Sequence, residues 1–275
     1  MDHARERVRK VTDRPASSLP EIGKLTLPEL VTVLRSGWSD FVTAPAFGIF
    51  FSGIYVVSGI ALMQLGAGTT SWTLALSLGF PLVAPFLAVG LYEVSRRLEA
   101  GQPLEWSEVL GVVWHERTRQ IPWLGAIIVL YFLFWTFLAH MIFALFMGPS
   151  ALVNASTSLE GYLSGPGIPM IVTEFVVGGV LALLLFALTV VSLPMLLELE
   201  VDFVTAMLLS LRATRANLPL LLVWAAMIAA LTLLAMIPYF LGLLVVLPVL
   251  GHASWHLYRR ILYQKYEPTE QQGPG

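Results

Sequence analysis

The stretch from Glu200 to Tyr263 decides the fold that the sequence predicts. It contains two apolar runs, LLLVWAAMIAALTLLAM at residues 220–236 and YFLGLLVVLPVLGHASW at residues 239–255. Neither run holds an Asp, Glu, Lys or Arg, and with its flanks each approaches the roughly 20 residues that a membrane-spanning helix needs. A polar segment with two arginines precedes the runs, and Arg259-Arg260 follows them. The stretch therefore predicts one unit: a surface helix, a proline, a span, a tight turn and a second span.

The composition of the whole chain is that of a membrane protein. Of its 275 residues, 57% are hydrophobic and only 12% are charged, about half the charged share of an ordinary soluble domain. The formal net charge of -2 provides no basic surface, so nucleic acid is not an expected partner. The absence of cysteine excludes disulfides, thiolate metal sites and cysteine nucleophiles. The expected partners are the lipid bilayer and other membrane proteins.

Two earlier parts of the chain predict the same unit. Residues 25–42 and 104–119 each place apolar side chains at helical spacing opposite charged ones, as an amphipathic membrane-surface helix does. Pro45 and Pro122 then precede the apolar stretches that follow these helices. Besides the two runs already quoted, spans are predicted at residues 44–63, 73–92, 122–147 and 171–197.

Prolines and arginines recur in register between these units. Aligning Trp106 with Phe203 brings Pro122 onto Pro219, and aligning Pro85 with Pro248 brings Arg96-Arg97 onto Arg259-Arg260. This register favours three repeats. The predicted fold is an all-α membrane protein with six transmembrane helices as three hairpins, each preceded by a cytoplasmic amphipathic interfacial helix. The predicted divisions are a disordered cytoplasmic tail at 1–24, a six-span domain at 25–263 with repeats 25–97, 104–197 and 200–263, and a second disordered cytoplasmic tail at 264–275.

The positions of the positive charges predict the orientation. All 16 Lys and Arg residues fall on one side of a six-span arrangement, and the alternate loops hold none. Because positive charge marks the cytoplasmic side, both termini and the three surface helices are expected on the cytoplasmic side of a bacterial inner membrane. Five tryptophans lie near predicted boundaries and are expected as interfacial anchors: Trp38, Trp72, Trp106, Trp114 and Trp123.

Five ionisable side chains in or beside the spans are candidates for a functional site. His252 and His256 are four residues apart, so both rings face one side of span six and would supply two ligands to a metal or haem. Glu93 and Glu198 lie near the cytoplasmic ends of spans two and four, and His140 lies within span three, where an ionisable group is a functional candidate by default. The structural alternative for each is an imidazole bonded to a neighbouring helix or a carboxylate at the interface. The sequence fixes no third metal ligand, and no cofactor is predicted.

Enzymatic activity is not expected from the sequence. No Ser-His-Asp arrangement, HExxH motif, phosphate-binding Gly-rich loop or paired-carboxylate motif occurs on a loop long enough to form an active site.

The three amphipathic segments, the pairs Pro122-Trp123 and Leu218-Pro219, and the ending PVLGHASWHLYRR at residues 248–260 carry a family resemblance. They resemble a family of bacterial integral membrane proteins catalogued as a domain of unknown function, some of whose members are labelled as cytochrome c oxidase subunits. A catalytic oxidase subunit resembles a bundle of about twelve spans with six histidine ligands, whereas this chain has five histidines. A looser likeness is to the six-span membrane domain of some glycerophosphodiester phosphodiesterases, which implies a fold and no activity because the catalytic barrel is absent.

Three functions stay open at this point. The first is a non-enzymatic accessory, assembly or lipid-organising protein that acts through helix packing and its surface helices. The second is a small-solute or ion transporter or channel, because prolines interrupt spans two, four and six and broken helices often build a midplane site. The third is a haem- or metal-binding redox accessory protein that uses the histidine pair.

Overall fold

The computed structural model describes residues 20–64, 70–148 and 165–263, with the backbone alone at 62–63 and 70–83. The regular structure of these ranges is α-helical. Numbered in chain order, the helices are α1 Leu27–Thr43, α2 Pro45–Gln64, α3 Thr70–Glu99, α4 Trp106–Glu116, α5 Ile121–Met147, α6 Gly167–Thr189, α7 Ser192–Glu198, α8 Phe203–Ala216, α9 Leu218–Met236 and α10 Leu243–Tyr263. The predicted all-α class is confirmed. Residues 1–19 and 264–275, which make up most of the predicted tails, lie outside the described residues.

The described residues contain three stretches that are long and apolar enough to cross a membrane. They are α5, the continuous stretch Gly167–Glu198 formed by α6 and α7, and α9. Helices α1 and α2 pass the same test only as a pair, which bends by 99° and would make a fourth span if counted as one. The count of six spans and their pairing into three hairpins therefore stay predictions.

The bend between α1 and α2 follows from Pro45. A residue before proline is disfavoured in the helical region, and Ala44 accordingly leaves it with φ -130° and ψ 53°. The Ala44 N–H still donates to the Asp40 carbonyl at 2.9 Å, which closes the end of α1. The near-right angle is the geometry expected where a surface helix leads into a span.

Helix α1 packs against α10 at backbone distance. A Cβ placed on Gly37 would lie 2.6 Å from both the Ala253 nitrogen and the Val249 carbonyl oxygen of α10. Contacts this short leave no room for a side chain. Gly37 therefore sets how closely the two helices approach.

The second half of α10 lies at the centre of the largest core cluster. Trp255, Leu257, Tyr258 and Ile261 are almost completely buried there, among residues of α1, α3, α8 and α9. The predicted exit of this segment from the membrane at Arg259-Arg260 stays a prediction. Helix α10 contains two histidines and two arginines, and its second half is surrounded largely by protein.

Helix α10 does not begin where the apolar run at residues 239–255 begins. The run begins at Tyr239, but residues 237–242 form turns and the helix begins at Leu243. Pro238 interrupts the helical pattern, and Tyr239 and Phe240 have positive φ values of 52° and 64°. Gly242 then passes close to α9, since a Cβ there would lie 2.7 Å from the Ala235 Cα.

The predicted fourth span is broken between α6 and α7. The Val191 N–H donates to the Ser210 hydroxyl at 3.1 Å, and that hydroxyl donates to the Ala187 carbonyl at 2.8 Å. Ser210 of α8 thus bridges the interruption in the helical hydrogen bonds, because its hydroxyl bonds to both the Val191 N–H and the Ala187 carbonyl. The break is closed by a neighbouring helix and requires no ligand.

The segment before α1 is joined to a distant part of the chain. Asn217, at the α8–α9 junction, accepts from the Leu25 N–H at 2.8 Å and donates to the Gly23 carbonyl at 3.0 Å. Lys24 donates to the Ala216 carbonyl at 2.6 Å, and the Gly23 N–H donates to Ile261 at 2.7 Å. Gly23 and Lys24 belong to the tail predicted as disordered, and both make these specific contacts.

Asp202 caps the N-terminus of α8, and its removal is expected to cost about 1 kcal/mol of stability, a typical value for an N-cap. Its Oδ1 accepts from the Thr205 N–H at 2.9 Å. Hydrogen bonds from Thr205, first from its side chain and then from its backbone, lower the pKa of the Asp202 carboxyl. A lowered pKa stabilises the fold above the unfolded-state value, and that contribution is lost as the pH falls through the folded-state value.

The measurement is the unfolding temperature of Asp202→Ala and Asp202→Asn in detergent across the acidic range. Asp202→Ala should lower it at neutral pH, whereas Asp202→Asn keeps a capping oxygen and should lose only the acid dependence. Equal unfolding temperatures for wild type and Asp202→Ala at neutral pH would contradict the assignment.

Candidate functional site

Glu93 is a fully buried carboxylate held by two arginines of its own helix. Arg96 donates to it through Nε at 2.7 Å and through Nη2 at 2.8 Å, and Arg97 donates through Nε at 2.7 Å. Spacings of three and four residues place both guanidinium groups over Glu93 on one face of α3. Arg97 also pairs with Glu108, which ties the end of α3 to α4.

Glu198 joins the end of α7 to α10. Its two oxygens accept from the Tyr258 hydroxyl at 2.5 Å and from Arg259 Nη1 at 2.8 Å. Arg259 also donates to Glu99 at 3.0 Å, and Glu99 accepts from the Trp255 indole at 2.9 Å. The ends of three helices, α3, α7 and α10, are therefore linked through one arginine.

Asp40 and Ser95 connect the two candidate histidines. Asp40 Oδ2 lies 2.7 Å from the Ser95 hydroxyl and 2.8 Å from His256 Nε2, and the same hydroxyl lies 2.8 Å from His252 Nδ1. An ionised Asp40 can only accept, so Ser95 donates to Asp40 and accepts from His252 Nδ1–H. Among the described residues the fully buried Nε2 of His252 has no partner.

This arrangement determines what the histidines could bind. His252 and His256 each use one ring nitrogen in this hydrogen-bonded chain, which joins α1, α3 and α10. Within the described ranges no group of three or more His, Asp or Glu side chains is placed to hold a metal ion. The described residues show a packing contact between three helices, and a metal or haem role for the pair stays a prediction.

His140 lies apart from the other candidates. It is 19 residues after Ile121 on α5, about 28 Å along the axis at 1.5 Å per residue. Its Nδ1 donates to the Thr136 carbonyl of its own helix at 2.7 Å, and it is close enough to Glu174 on α6 for an electrostatic interaction. Glu198 meets α10, Glu93 pairs within α3, and His140 joins neither.

Four of the five predicted anchor tryptophans have described side chains, and all four are exposed. Trp38 and Trp123 project from α1 and α5. Trp106 stacks on Phe47 of α2 at 4.0 Å, and Arg117 lies 3.4 Å above the ring of Trp114. Trp72 is in the first turn of α3, and its side chain lies outside the described residues.

Two clefts open beside the charged groups. The first, of about 260 Å³, lies between α1 and the end of α10, and it is lined by Ser36, Glu99, His256 and Arg259 among others. The second, of about 480 Å³, is formed by the ends of α3 and α7 and by one side of α4. We call the second the α4 cleft. It is lined by Arg96, Arg97, Glu108, Gly111, Val112, His115, Glu116, Arg119, Leu197 and Glu198.

Several members of this network were not among the sequence candidates. Asp40 and Ser95 lie on helices distant in sequence, so no local pattern marked them. Glu99 also lacked a signal, because its partner Arg259 was interpreted as a topology marker. Tyr258 lacked one because its partner Glu198 is 60 residues away in the sequence. The Glu93–Arg96–Arg97 spacing is a local signal that sequence reasoning could have used.

The chain matches a known protein family over part of its length. Residues 73–198 match the family described as "Predicted integral membrane protein (DUF2189)". No curated protein and no solved structure matches the chain. The matched part runs from α3 to α7 and includes every residue that lines the α4 cleft. The oxidase label and the likeness to the phosphodiesterase membrane domain stay predictions. The resemblance to a membrane protein family of unknown function is confirmed for residues 73–198, over which this integral membrane protein is similar to the DUF2189 family.

Proposed function

We propose that this protein is a non-enzymatic, six-span component of a bacterial inner membrane that organises lipid in the cytoplasmic leaflet. It would do so through α1, α4 and α8 as membrane-surface helices. One observation carries the proposal. Each of these helices buries one side in the protein and leaves large apolar side chains exposed on another.

Helix α1 displays this division most fully. Leu30, Val33, Gly37 and Phe41 are buried against the protein, whereas Leu27, Val31, Trp38 and Val42 form an exposed stripe on the adjoining face. Covering a Val or Leu side chain with an apolar medium is worth about 1.5–3 kcal/mol, more than an exposed ion pair at about 0–1 kcal/mol. Apolar contact with lipid therefore dominates the placement of α1.

Helices α4 and α8 have shorter stripes of the same kind. Trp106, Leu110 and Trp114 are exposed at intervals of four residues on α4. Val204 and Leu208 are exposed on α8, and Arg212 extends their row by one further turn. A basic side chain at the end of an apolar stripe can keep its stem on lipid while its charge reaches the headgroups.

The distribution of charge supports the cytoplasmic orientation. Arg96, Arg97 and Arg259 and their acidic partners lie together at the ends of α3, α7 and α10, beside α4. The predicted opposite loops carry no Lys or Arg. The three surface helices would consequently lie in the inner leaflet, where anionic lipids attract basic residues.

Nitroxide labels on the exposed stripes are expected to lie in lipid. Because the sequence contains no cysteine, Val31→Cys, Leu110→Cys and Leu208→Cys each give a single labelling site. In reconstituted vesicles these labels should be relaxed by oxygen, which concentrates in the bilayer, more than by a water-soluble nickel chelate. A label at Thr32→Cys, which is exposed on α1 outside the stripe, is the matched control and should show the reverse. Water-like accessibility at all three stripe positions would remove the basis of the proposal.

The organising activity is tested with the same vesicles. Surface helices inserted into one leaflet displace headgroups and should change the polarity reported by Laurdan at the interface. The wild type should produce this change, and a folded Val31→Ser/Trp38→Ser/Leu110→Ser variant should produce less of it. Mass spectrometry of the recovered lipid should show no new species. A new lipid product would overturn the non-enzymatic proposal, and an unchanged Laurdan signal would overturn the organising one.

A further inference from the structure

We infer that the α4 cleft binds the phosphoethanolamine headgroup of an aminophospholipid from the surrounding leaflet. The inference rests on the proposed function, because it names the lipid that such a protein would hold. It is carried by Glu116, which lines the cleft and has one buried carboxylate oxygen without a hydrogen-bond partner among the described residues. Arginines that still have N–H groups available for hydrogen bonds line the same cleft.

Glu116 provides the half of the site that would bind the ammonium group of the lipid. Its side chain is about 3% exposed and lines the cleft. Its Oε1 accepts from Arg119 Nη1 at 2.8 Å, whereas its buried Oε2 has no hydrogen-bond partner among the described residues. A buried carboxylate oxygen is stable when a donor reaches it, and a charged donor is the strongest kind. A primary ammonium group supplies three such donors.

Arg96 and Arg119 provide the half of the site that would bind the phosphate group. Arg96 contacts Glu93 through Nε and Nη2, and Arg119 contacts Glu116 through Nη1, so each guanidinium keeps further N–H groups for another acceptor. Both arginines line the cleft with Glu116. Guanidinium groups match the geometry of phosphate oxygens. A ligand with both a phosphate and a primary amine uses the two halves together.

The depth of the cleft suits a lipid headgroup. At 100° per residue, Glu108, Val112 and Glu116 lie on the side of α4 away from Trp106, Leu110 and Trp114. With the tryptophan side in the acyl region, the opposite side of a helix about 10 Å across lies at the level of the headgroups. The cleft volume of about 480 Å³ is within the range of small-molecule sites.

The unpartnered oxygen also predicts selectivity among headgroups. Phosphatidylethanolamine carries N–H donors that can reach Glu116 Oε2. Phosphatidylcholine carries a positive charge but no N–H, and phosphatidylglycerol carries no cation. The protein should therefore prefer phosphatidylethanolamine to both.

Native mass spectrometry of the full-length protein tests this preference. The protein is equilibrated in detergent with equal amounts of phosphatidylethanolamine, phosphatidylcholine and phosphatidylglycerol of the same acyl chains. Bound phosphatidylethanolamine should exceed the other two about tenfold, as expected for one hydrogen bond to a buried charge. Glu116→Gln should reduce the ratio to about twofold or less, since the carboxylate is lost while the side-chain shape is kept. Glu105→Gln makes the same charge change at the N-cap residue of α4, outside the cleft, and should keep the wild-type ratio.

Three outcomes would overturn the inference. They are equal binding of the three lipids by the wild type, an unchanged ratio in a folded Glu116→Gln protein, and displacement of the lipid by an equal concentration of soluble O-phosphoethanolamine. The last would show that the cleft takes a free solute. The nitroxide and Laurdan measurements in vesicles without phosphatidylethanolamine test the proposed function separately, so the two can fail independently.

Discussion

Gly37→Val is expected to destabilise the protein by about 3 kcal/mol, at the upper end of the usual cost of overpacking. The added Cβ would lie 2.6 Å from backbone atoms of Ala253 and Val249, and backbone cannot rotate away as a side chain can. Helices α1 and α10 would have to separate. The Asp40–His256 contact, at 2.8 Å and one turn further along α1, would lengthen with them. The measurement is the unfolding temperature of the purified protein in detergent, together with its recovery from the membrane.

Gly53→Val on α2 is the matched control. A Cβ at Gly53 meets nothing within 4 Å, and replacing glycine inside a helix removes backbone freedom from the unfolded chain. This variant should be as stable as the wild type or slightly more stable. If Gly37→Val behaves like Gly53→Val, the close approach of α1 to α10 is wrong.

Glu93→Ala is expected to cost about 3 kcal/mol, because removing one partner of a buried ion pair leaves charge without compensation. Arg96 and Arg97 would lose three hydrogen bonds in a site where the Glu93 side chain is fully buried. Arg97, whose side chain is 11% exposed, would suffer most. The unfolding temperature of Glu93→Ala in detergent should fall accordingly.

Glu108→Ala provides the comparison for this prediction. Glu108 pairs with the same Arg97, but its side chain is 46% exposed, so its loss should cost less than about 1 kcal/mol. A larger effect at Glu108 than at Glu93 would mean that solvent reaches the network. Arg97 would then be held mainly by α4.

The sequence predicted the features of this fold that repeat locally. Apolar runs and amphipathic periodicity located α1, α4, α8 and the apolar helices, since both patterns are set by neighbours within one or two turns. Pro45 lies at the start of the predicted first span, and it is the first residue of α2. The six-span count stays a prediction, because parts of α2 and α3 lie outside the described side chains and α10 mixes apolar residues with two histidines and two arginines.

Contacts between distant helices could not be predicted in the same way. Nothing near Gly37 in the sequence indicates that Ala253 will lie against it. A glycine within a helix usually lowers the stability of the helix, and it does not by itself indicate a close contact with another helix. Asp40 belongs to the polar side of the predicted surface helix, yet it accepts from Ser95 and His256. Glu93 is the opposite case, because its arginine partners were visible at local spacing. The unpartnered oxygen of Glu116 is a property of packing and has no sequence signal.

The contacts of residues 23–25 bear on the order in which the protein is made. Gly23, Lys24 and Leu25 bond to residues 216, 217 and 261, which the ribosome completes about 190 to 240 residues later. Helix α1 likewise needs Ala253 and Val249 before its glycine contact can form. The first described segment to be synthesised is thus among the last to reach its final position. Until translation nears its end, this segment is available to chaperones or to the insertion machinery. A chain truncated before α10 would keep the contacts with residues 216 and 217 but would lose the Ile261 bond and the helix against which α1 packs.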